Sequence, residues 1–476
     1  MSKTVITEGD EGVKLIVKRR KKDTPNVRLA TRMPVHVVYG GADRFSASIA
    51  SKLGSIALKT LETYASNFVE FANAFCLPGT ESLPNFPEAV VRLDLQIAKD
   101  PSTARSSDHA SWFAWTVYQK TVEKLKTEPV EDFRIDFEDG YGFRADDEED
   151  ADAFRTAKEL AQTYIKGTNT YFSGLRVKSF APETYSRSVR TLNIFLSTLL
   201  ESTAGLIPPN FVVTLPKVSS HKDVRELHSH LTKVEKKANL PHGSIKLELM
   251  IETPAAIIGP KGNFALRDLV NAGKGRVIAA HFGAYDYTSS LGIAADFQGL
   301  RHEACVLARQ LMLLTLSPMG IRLADSVTTQ IPTTVHNGGR LSKSQTADNR
   351  RRIFEGWRTH FENVTYSMSN GFYQSWDLHP NQLPARYAAV YSFFLRTFDS
   401  QTARLRDFID GASRAMLSGN TFDDAASAQG VLNFLRRGSD CGAFNDSDVA
   451  SATGLTEGEF RGQTFQQIIE GRRQAI

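Results

Sequence analysis

The stretch LELMIETPAA, Leu247–Ala256, decides the fold because it joins a buried strand to a carboxylate at its end. Leu247 and the run Leu249–Ile251 are apolar, as in a strand that is buried within a sheet. The strand stops at Glu252, and Pro254 would end a strand in any case because it lacks the N–H donor. A glutamate in this position often marks only the exit of the chain into solvent. Its interpretation therefore depends on how the other strands of the chain end.

Short apolar runs alternate with longer amphipathic segments along most of the chain. The runs predict eight strands: Val35–Tyr39, Phe133–Phe137, Tyr171–Val177, Phe211–Leu215, Lys246–Ile251, Arg276–Phe282, Ile321–Val327 and Tyr373–Leu378. Apolar residues at three- and four-residue spacing predict helices between them, among which are Ala151–Ile165, Tyr185–Leu200, Lys222–Ala238, Arg301–Leu314 and Asp348–Thr365. Crossovers of this length favour a parallel sheet. Eight repeats predict an α/β fold of the closed (β/α)8 TIM-barrel type, and the lack of GxGxxG after the first strand disfavours a dinucleotide-binding sheet.

Two parts of the chain do not fit the strand–helix repeat. The first crossover is oversized, at about residues 44–130, and has room for several helices, including Ile49–Phe75 and Trp112–Lys126. Beyond the eighth strand the pattern is largely helical, broken by Gly419 and a predicted loop Arg437–Asp446. We therefore predict an N-terminal tail over residues 1–32, a barrel over 33–383 with a large helical insertion, and a C-terminal helical appendage over 384–476.

Composition restricts the classes of function. The net charge of +4 is small for 476 residues and does not predict nucleic-acid binding. The basic run Val17–Lys22 is interpreted as a solvated tail, with contact to an anionic ligand or partner as the alternative. Three widely spaced cysteines favour neither disulfides nor a cysteine-based zinc site. No signal region or membrane-spanning apolar run is visible, so we expect a cytoplasmic protein without membrane contact.

Charged side chains recur at the carboxyl ends of the predicted strands, which share one rim in a barrel. They are Asp136, Glu138, Asp139, Arg176, Lys217, Glu252, Asp286 and His379. Five carboxylates at close range repel one another unless a cation lies among them. Oxygen ligands on separate strands suit Mg²⁺, which typically takes one or two protein carboxylates. Glu252 and Asp286, on adjacent strands, are the predicted pair, so Glu252 is predicted to end its strand in order to hold a metal.

Six short motifs resemble, in order, segments of the citrate lyase β-subunit and HpcH/HpaI aldolase superfamily. They are DFEDGYG (136–142), GLRVK (174–178), TLPKV (214–218), LMIETPAA (249–256), HFGAYDYTSSLG (281–292) and LHPNQ (378–382). The resemblance covers roughly residues 35–382. The long insertion and helical C-terminus resemble a branch sometimes labelled phosphoenolpyruvate kinase, although the chain contains no Walker A phosphate loop.

The resemblance implies a Mg²⁺-dependent enzyme of the phosphoenolpyruvate/pyruvate barrel group, with Mn²⁺ as the alternative ion. Such an enzyme makes or breaks a C–C bond through an enolate, on a 2-oxo acid, a hydroxy acid or an acyl-CoA. It implies Glu252 and Asp286 as metal ligands and Arg176 as the arginine that holds a substrate oxygen. Glu138 and Asp139 match acidic residues that contact metal-bound water. A homo-oligomer is also implied.

The remaining rim residues have a structural interpretation beside the functional one. Lys217 and His379 are catalytic candidates, against a salt bridge for the lysine and a loop hydrogen bond for the histidine. Asp136, Lys178 and Tyr285 are candidates for substrate contact, although family members usually carry Asn in place of Lys178. For Arg176 the structural alternative is a salt bridge to one of the neighbouring carboxylates. Two other functions stay open: phosphoryl transfer around phosphoenolpyruvate, and a non-catalytic barrel.

Overall fold

A computed structural model describes residues 32–417 and 424–474. The basic run Val17–Lys22, Gly419 and nearly all of the predicted N-terminal tail lie outside the described residues. Within the part described, no helix combines the length and the apolar character that crossing a membrane requires.

Eight parallel strands pair in sequence order and close into a barrel, with the eighth strand beside the first. The strands are β1 His36–Gly41, β2 Asp132–Asp136, β3 Phe172–Arg176, β4 Phe211–Leu215, β5 Lys246–Ile251, β6 Val277–Phe282, β7 Arg322–Val327 and β8 Gln374–Asp377. The predicted TIM barrel is thus confirmed. The limits of β4 and β5 are those predicted, and the other strands differ from the prediction by one or two residues at an end.

Helices surround the barrel and form the two additions to it. The insertion after β1 contains α1 Ile49–Tyr64, α2 Phe68–Phe75, α3 Pro87–Lys99, α4 Pro101–Ser107 and α5 His109–Thr127. The barrel crossovers contain α6 Asp146–Lys166, α7 Tyr185–Ser202, α8 His221–Lys237, α9 Pro254–Ile257, α10 Leu266–Ala272, α11 Ala284–Ser290, α12 Glu303–Leu316 and α13 Lys343–Ser369. The C-terminal appendage contains α14 Leu383–Leu417, α15 Ala425–Asp440, α16 Asp446–Thr453, α17 Glu457–Gly462 and α18 Phe465–Gln474.

Two details of the helical parts differ from the prediction. The single stretch Ile49–Phe75 is two helices, because Asn67 caps the second one by accepting hydrogen bonds from the backbone N–H groups of Val69 and Glu70. The predicted loop Arg437–Asp446 was wrong at its start, since α15 continues to Asp440. Gly438 lies inside this helix, and its lack of a Cβ leaves room for the rings of Phe444 and Phe394.

The apolar core has two clusters. One lies between the strands and the crossover helices from α6 to α12. The other joins the insertion helices to α13 and to the appendage, and Trp357 and Tyr387 are among its buried aromatic residues. Insertion and appendage therefore pack together although about 250 residues of barrel separate them in sequence.

The interior of the barrel is polar. Side chains alternate along a strand, so Phe133 and Ile135 of β2 pack outward while Arg134 points inward. Arg134 donates to the Glu248 carboxylate at 2.8 Å (Nη2 to Oε2) and to Asp132 Oδ2 at 3.1 Å. Gly174 makes room for this guanidinium, because a Cβ there would lie 2.7 Å from Arg134 Cδ. We call Asp132, Arg134 and Glu248 the interior ion layer.

Candidate active site

Glu252 lies just past β5, on the same face of the strand as Glu248, because side chains two residues apart share a face. Its side chain is buried, with 1% of the residue exposed. Oε1 accepts the backbone N–H of Lys217 at 2.6 Å, the only hydrogen bond to this carboxylate within the described residues. Gly283 lies opposite, and a Cβ there would be 2.5 Å from Oε2. A glycine at that position lets the carboxylate lie against the end of β6.

The electrostatic surroundings of Glu252 disfavour its charge. Burial, and then the charges of Asp286 and Glu138, raise the pKa of Glu252 to about 8. Asp286 is in the first turn of α11, and its side chain is 44% exposed. Glu252 is thus a buried acid that faces other carboxylates and is not neutralised by an arginine of its own.

Lys217 is the cation of this cluster. Its Nζ contacts Glu138, lies 3.0 Å from both Asp139 carboxylate oxygens and is 3.9 Å from Asp286 Oδ2. The charges of Glu138 and Glu252 raise the pKa of Lys217, although burial, the largest single influence, acts to lower it. The backbone of Lys217 is left-handed, with φ of 49°, which is uncommon for a residue other than glycine. The salt bridge that was predicted as the structural alternative to a catalytic role for Lys217 is present.

The pKa values of Glu138 and Asp139 are shifted in opposite directions, although the two residues are neighbours in sequence. Burial raises the pKa of Glu138 to about 7, against the charge of Arg176, whose Nη1 is 3.2 Å from Glu138 Oε2. The pKa of Asp139 is lowered in spite of partial burial, because of its hydrogen bond with Glu138 and the charge of Lys217. Glu138 and Glu252 are therefore the two acids on the rim whose pKa values are raised towards neutral pH.

Arg176 is clamped by Asp136. Its Nε donates to Asp136 Oδ1 at 2.6 Å and its Nη2 donates to Oδ2, so the pair is bidentate. Asp136 also accepts backbone N–H groups from Glu138 at 2.9 Å and Gly140 at 2.8 Å, which uses both of its oxygens. Nη1 lies 3.4 Å from the Met250 sulfur. The guanidinium is held rigidly, and substrate contact by Arg176 or Asp136 stays a prediction.

Two cavities open at the rim. The acidic cavity, of about 420 Å³, is lined by residues that include Glu252, Asp286, Tyr285 and Ser326. The apolar cavity, of about 510 Å³, has Asp136 and Arg176 at one side, and its wall includes Tyr39, Phe45, Ile49, Phe133 and Leu383. Asp139, Trp376 and Leu378 line both. The two cavities therefore adjoin, one with carboxylates in its wall and the other largely apolar.

The other predicted residues divide between these cavities and the outside. Tyr285 lines the acidic cavity, with its hydroxyl 3.0 Å from Thr329 Oγ1. His379 lines the apolar cavity; its Nδ1 accepts the Asn381 N–H at 3.1 Å, and burial lowers its pKa. Lys178 lines neither cavity.

Lys178 is turned away from the rim towards α6. Its Nζ is 2.9 Å from Glu149 Oε2 and donates to the Phe137 carbonyl at 2.6 Å. Because these bonds join β3 to the neighbouring crossover helix, the structure does not bring Lys178 together with the other predicted site residues.

The structure adds residues that the sequence prediction missed. Tyr39 and Trp376 flank the Arg176 guanidinium, whose Cζ is 4.6 Å and 5.3 Å from the two ring centroids. Alternation along β1 would have placed Tyr39 inside the barrel. No local signal marks Trp376, because its position depends on how β8 closes against β1.

The side chains present suit Mg²⁺ rather than a softer metal. Nowhere in residues 32–417 and 424–474 do three or more histidine, cysteine, aspartate or glutamate side chains gather in a way that could hold a metal ion. Mg²⁺ does not require such a set, because it commonly takes one or two carboxylates and keeps its water. Glu252 and Asp286 supply two carboxylates to one cavity, and the raised pKa of Glu252 shows that a further positive charge would be favourable there. The donor set therefore fits the predicted ion.

Comparison with solved structures returns similar barrels at low sequence identity. A citrate lyase from Burkholderia xenovorans is 18% identical, with 70% of this chain and 91% of that chain covered and a TM-score of 0.46. A Haloferax volcanii malate synthase in complex with magnesium and glyoxylate is 19% identical over 55% and 66% of the two chains, with a TM-score of 0.40. The Mycobacterium tuberculosis protein CitE in complex with magnesium and acetoacetate is 17% identical over 58% and 87%, with a TM-score of 0.35.

Comparison with curated proteins returns no match. The model of a family described as a domain of unknown function, DUF6986, matches residues 18–468, which includes the barrel, the insertion and most of the appendage. The chain therefore belongs to the DUF6986 family.

Proposed function

We propose that this protein is a Mg²⁺-dependent carbon–carbon lyase or aldolase that acts through an enolate on a small carboxylate substrate. The substrate is a 2-oxo acid, a hydroxy acid or an acyl-CoA thioester. The observation that carries the proposal is Glu252, a fully buried carboxylate at a strand end that faces Asp286 across a cavity and has one backbone hydrogen bond. The six strand-end motifs support the same reaction class.

In this proposal Glu252 and Asp286 hold the ion, and Glu138 and Asp139 lie beside them. Mg²⁺ supplies a Lewis acid that stabilises negative charge on the substrate oxygen. Arg176 presents its guanidinium next to the cavities in an orientation fixed by Asp136, so no reorganisation is needed when the enolate charge develops. Tyr39 and Trp376 pack on the guanidinium and limit its access to water.

We assign proton transfer to Glu138, which lines neither cavity itself but is joined through Lys217 to Asp139, a residue that lines both. A carboxylate with a pKa of about 7 exchanges a proton readily at neutral pH. In the cleavage direction it accepts the proton of the substrate hydroxyl as the C–C bond breaks, and the bond's electron pair passes to the carbonyl to form the enolate. The same proton is returned to the enolate carbon. Condensation is the reverse of these steps.

Phosphoryl transfer receives no comparable support. It would need an array of basic side chains that is free to receive a phosphate. Lys178 is turned outward to Glu149 and Lys217 is held among the rim carboxylates, so the rim offers Arg176 alone and no array of basic side chains. The excess charge of the rim is negative, which suits a cation first.

The test is ligand-dependent thermal stability, because a ligand that binds the folded state raises the midpoint of unfolding. The wild-type protein, Glu252→Gln and Asp286→Asn are melted with Mg²⁺ alone and with pyruvate, oxaloacetate, glyoxylate, phosphoenolpyruvate or acetyl-CoA. We expect a Mg²⁺-dependent rise with at least one of these compounds in the wild type and in neither variant. Asp296→Asn, the same change at an exposed position ten residues past Asp286, should behave as wild type.

Two outcomes would contradict the proposal. One is a well-folded wild type whose midpoint responds to no divalent ion and to none of the compounds. The other is a Glu252→Gln protein that keeps full turnover of a substrate found for the wild type, since this would remove the carboxylate from the metal site.

A further inference from the structure

A third large cavity lies at the opposite end of the barrel from the rim. Its volume is about 430 Å³, and its walls come from the amino ends of several strands, including Phe172 of β3, Arg322 of β7 and Gln374 of β8. Arg437, in the last turn of α15, closes one side. The cavity thus lies between the barrel and the C-terminal appendage, and we call it the lower cavity.

Two arginines in the lower cavity lack acceptors. Arg322 packs on Phe172, with Cζ 5.1 Å from the ring centroid, and Arg437 packs on Tyr373 at 4.2 Å. Both are half-buried. Neither makes a hydrogen bond or ion pair with any side chain or backbone group in the ranges 32–417 and 424–474. Burial without a partner lowers the pKa of both guanidinium groups.

The carboxylates nearest to these arginines are committed elsewhere. Asp132 and Glu248, which both act on Arg322 at a distance, are bound by Arg134 in the interior ion layer. Asp440, which acts on Arg437, accepts a hydrogen bond of 2.5 Å from Arg461. The lower cavity therefore presents two guanidinium groups that no carboxylate of the described residues contacts directly.

Each guanidinium carries five N–H donors, and none of them is bonded to a group of the described residues, so all are available to a ligand in the cavity. The aromatic rings hold the two planar groups in place, which favours bidentate contacts to an oxyanion. We propose that the lower cavity binds a small multivalent oxyanion, phosphoryl or polycarboxylate, between Arg322 of the barrel and Arg437 of the appendage. The bound anion stabilises the contact of α15 with the barrel. The site uses no residue of the rim and does not depend on the proposed reaction.

The test uses the full chain and three probes: inorganic phosphate, pyrophosphate and citrate, each compared with sodium chloride at equal ionic strength, so that general screening is subtracted. Binding is followed by calorimetric titration and by the thermal midpoint. We expect saturable binding of at least one probe, at least tenfold weaker in Arg322→Gln and in Arg437→Gln and unmeasurable in the double variant. Arg267→Gln, an exposed arginine of α10, is the matched control and should bind as wild type.

Stability without the anion separates a ligand site from a structural role. Removing two half-buried cations that have no partner should leave the thermal midpoint of the anion-free protein unchanged or higher. If a glutamine variant does not fold, Arg322→Lys and Arg437→Lys take its place. These variants keep the positive charge but lose the planar guanidinium that binds an oxyanion in a bidentate way, so they should bind the probe more weakly than the wild type. Binding of phosphate and pyrophosphate but not of citrate would identify a phosphoryl site. Binding of citrate but not of the other two probes would identify a polycarboxylate site. Equal midpoint shifts in wild type and the double variant, or shifts that follow ionic strength alone, would overturn the proposal.

Discussion

Glu248 and Glu252 are on the same face of β5, four residues apart, and both are buried, yet their surroundings are opposite. Glu248 accepts hydrogen bonds from Arg134 at 2.8 Å and from Thr214 Oγ1 at 2.7 Å, and it is 2.8 Å from His281 Nε2. Although burial opposes the shift, these partners lower the pKa of Glu248 well below its usual value. Glu252 has one backbone N–H, and its pKa rises to about 8. The barrel neutralises its interior charge and leaves the charge at its rim in excess.

Partners of this kind separate a structural carboxylate from a candidate metal ligand. A buried acid is retained for stability only when its partners repay the cost of desolvation. The interior ion layer meets this condition with its own arginine. The rim does not meet it, because its five carboxylates outnumber its two cations, Arg176 and Lys217. The predictions that follow test this contrast in order of decreasing effect.

Breaking the interior ion layer should have the largest effect. Arg134→Met leaves Asp132 and Glu248 buried without their cation, and we expect a loss of about 3–5 kcal/mol in the free energy of unfolding. Urea-induced unfolding measures it. Arg134→Met combined with Glu248→Met should lose less than the single variant, because the second change removes the unpaired charge. A loss below about 1 kcal/mol for Arg134→Met would show that the layer is not neutralised as described.

The same glutamate-to-glutamine substitution should change the free energy of unfolding in opposite directions at Glu252 and at Glu248. In the presence of a chelator, Glu252→Gln should raise the free energy of unfolding by about 1–3 kcal/mol, because it removes a buried and poorly compensated charge. Glu248→Gln is the matched control and should lower the stability. Saturating Mg²⁺ should raise the free energy of unfolding of the wild type and leave that of Glu252→Gln unchanged. Loss of stability in both variants would refute the contrast.

A change that moves the Glu252 carboxylate without removing it should weaken metal binding. Gly283→Ala places a methyl group against Glu252, with the Cβ 2.5 Å from Oε2. We expect at least tenfold weaker Mg²⁺ binding by calorimetry, which is about 1.4 kcal/mol. Gly299→Ala, at a glycine with open space around it, should bind Mg²⁺ as wild type. Equal affinities in the two variants would place the ion elsewhere.

The smallest effect, measured over a single pH unit, is the pH dependence of the stability of the metal-free protein. Glu252 has a pKa of about 8 when folded and its ordinary value of 4.5 when unfolded, so the native state binds more protons between these limits. The free energy of unfolding should therefore fall as pH rises from about 5 to 8, by at most about 1.4 kcal/mol per pH unit from this group. Glu138, with its pKa raised to about 7, adds to the same trend.

Denaturant unfolding at pH 5.5 and 7.5 in the presence of a chelator measures this slope. Glu252→Gln should flatten it, and Asp296→Asn should leave it as in the wild type. If the stability of the wild type instead rises from pH 5.5 to 7.5, the rim carboxylates are neutralised by groups other than Arg176 and Lys217.

Much of the fold follows from local pattern. The strand–helix alternation predicts all eight strands, because each strand is a short apolar run between turn residues and amphipathic helices. The interior ion layer was missed, although DFRID (132–136) carries charge at every second position. Charges at that spacing face one side of a strand, and only the closed barrel shows that this side is the interior.

The candidate site was predictable to the extent that its residues lie at strand ends. Glu252 and Asp286 line one cavity because adjacent parallel strands end at the same rim. The outward turn of Lys178 was not predictable, because its partner Glu149 is on a crossover helix and the pairing depends on packing. The same holds for Trp376, which reaches Arg176 only when the sheet closes.

The closure of β8 against β1 has a consequence for synthesis. His36 Nδ1 is bonded to Asp377 at 2.7 Å across 341 positions of sequence. At a translation rate of about 5–20 residues per second, β1 emerges from the ribosome roughly 20–70 s before the strand that completes its pairing. During that interval one edge of β1 and the apolar faces of the insertion helices have no partner. The nascent chain of this protein is therefore a predicted client for chaperones that shield apolar surface, until its last barrel strand has been made.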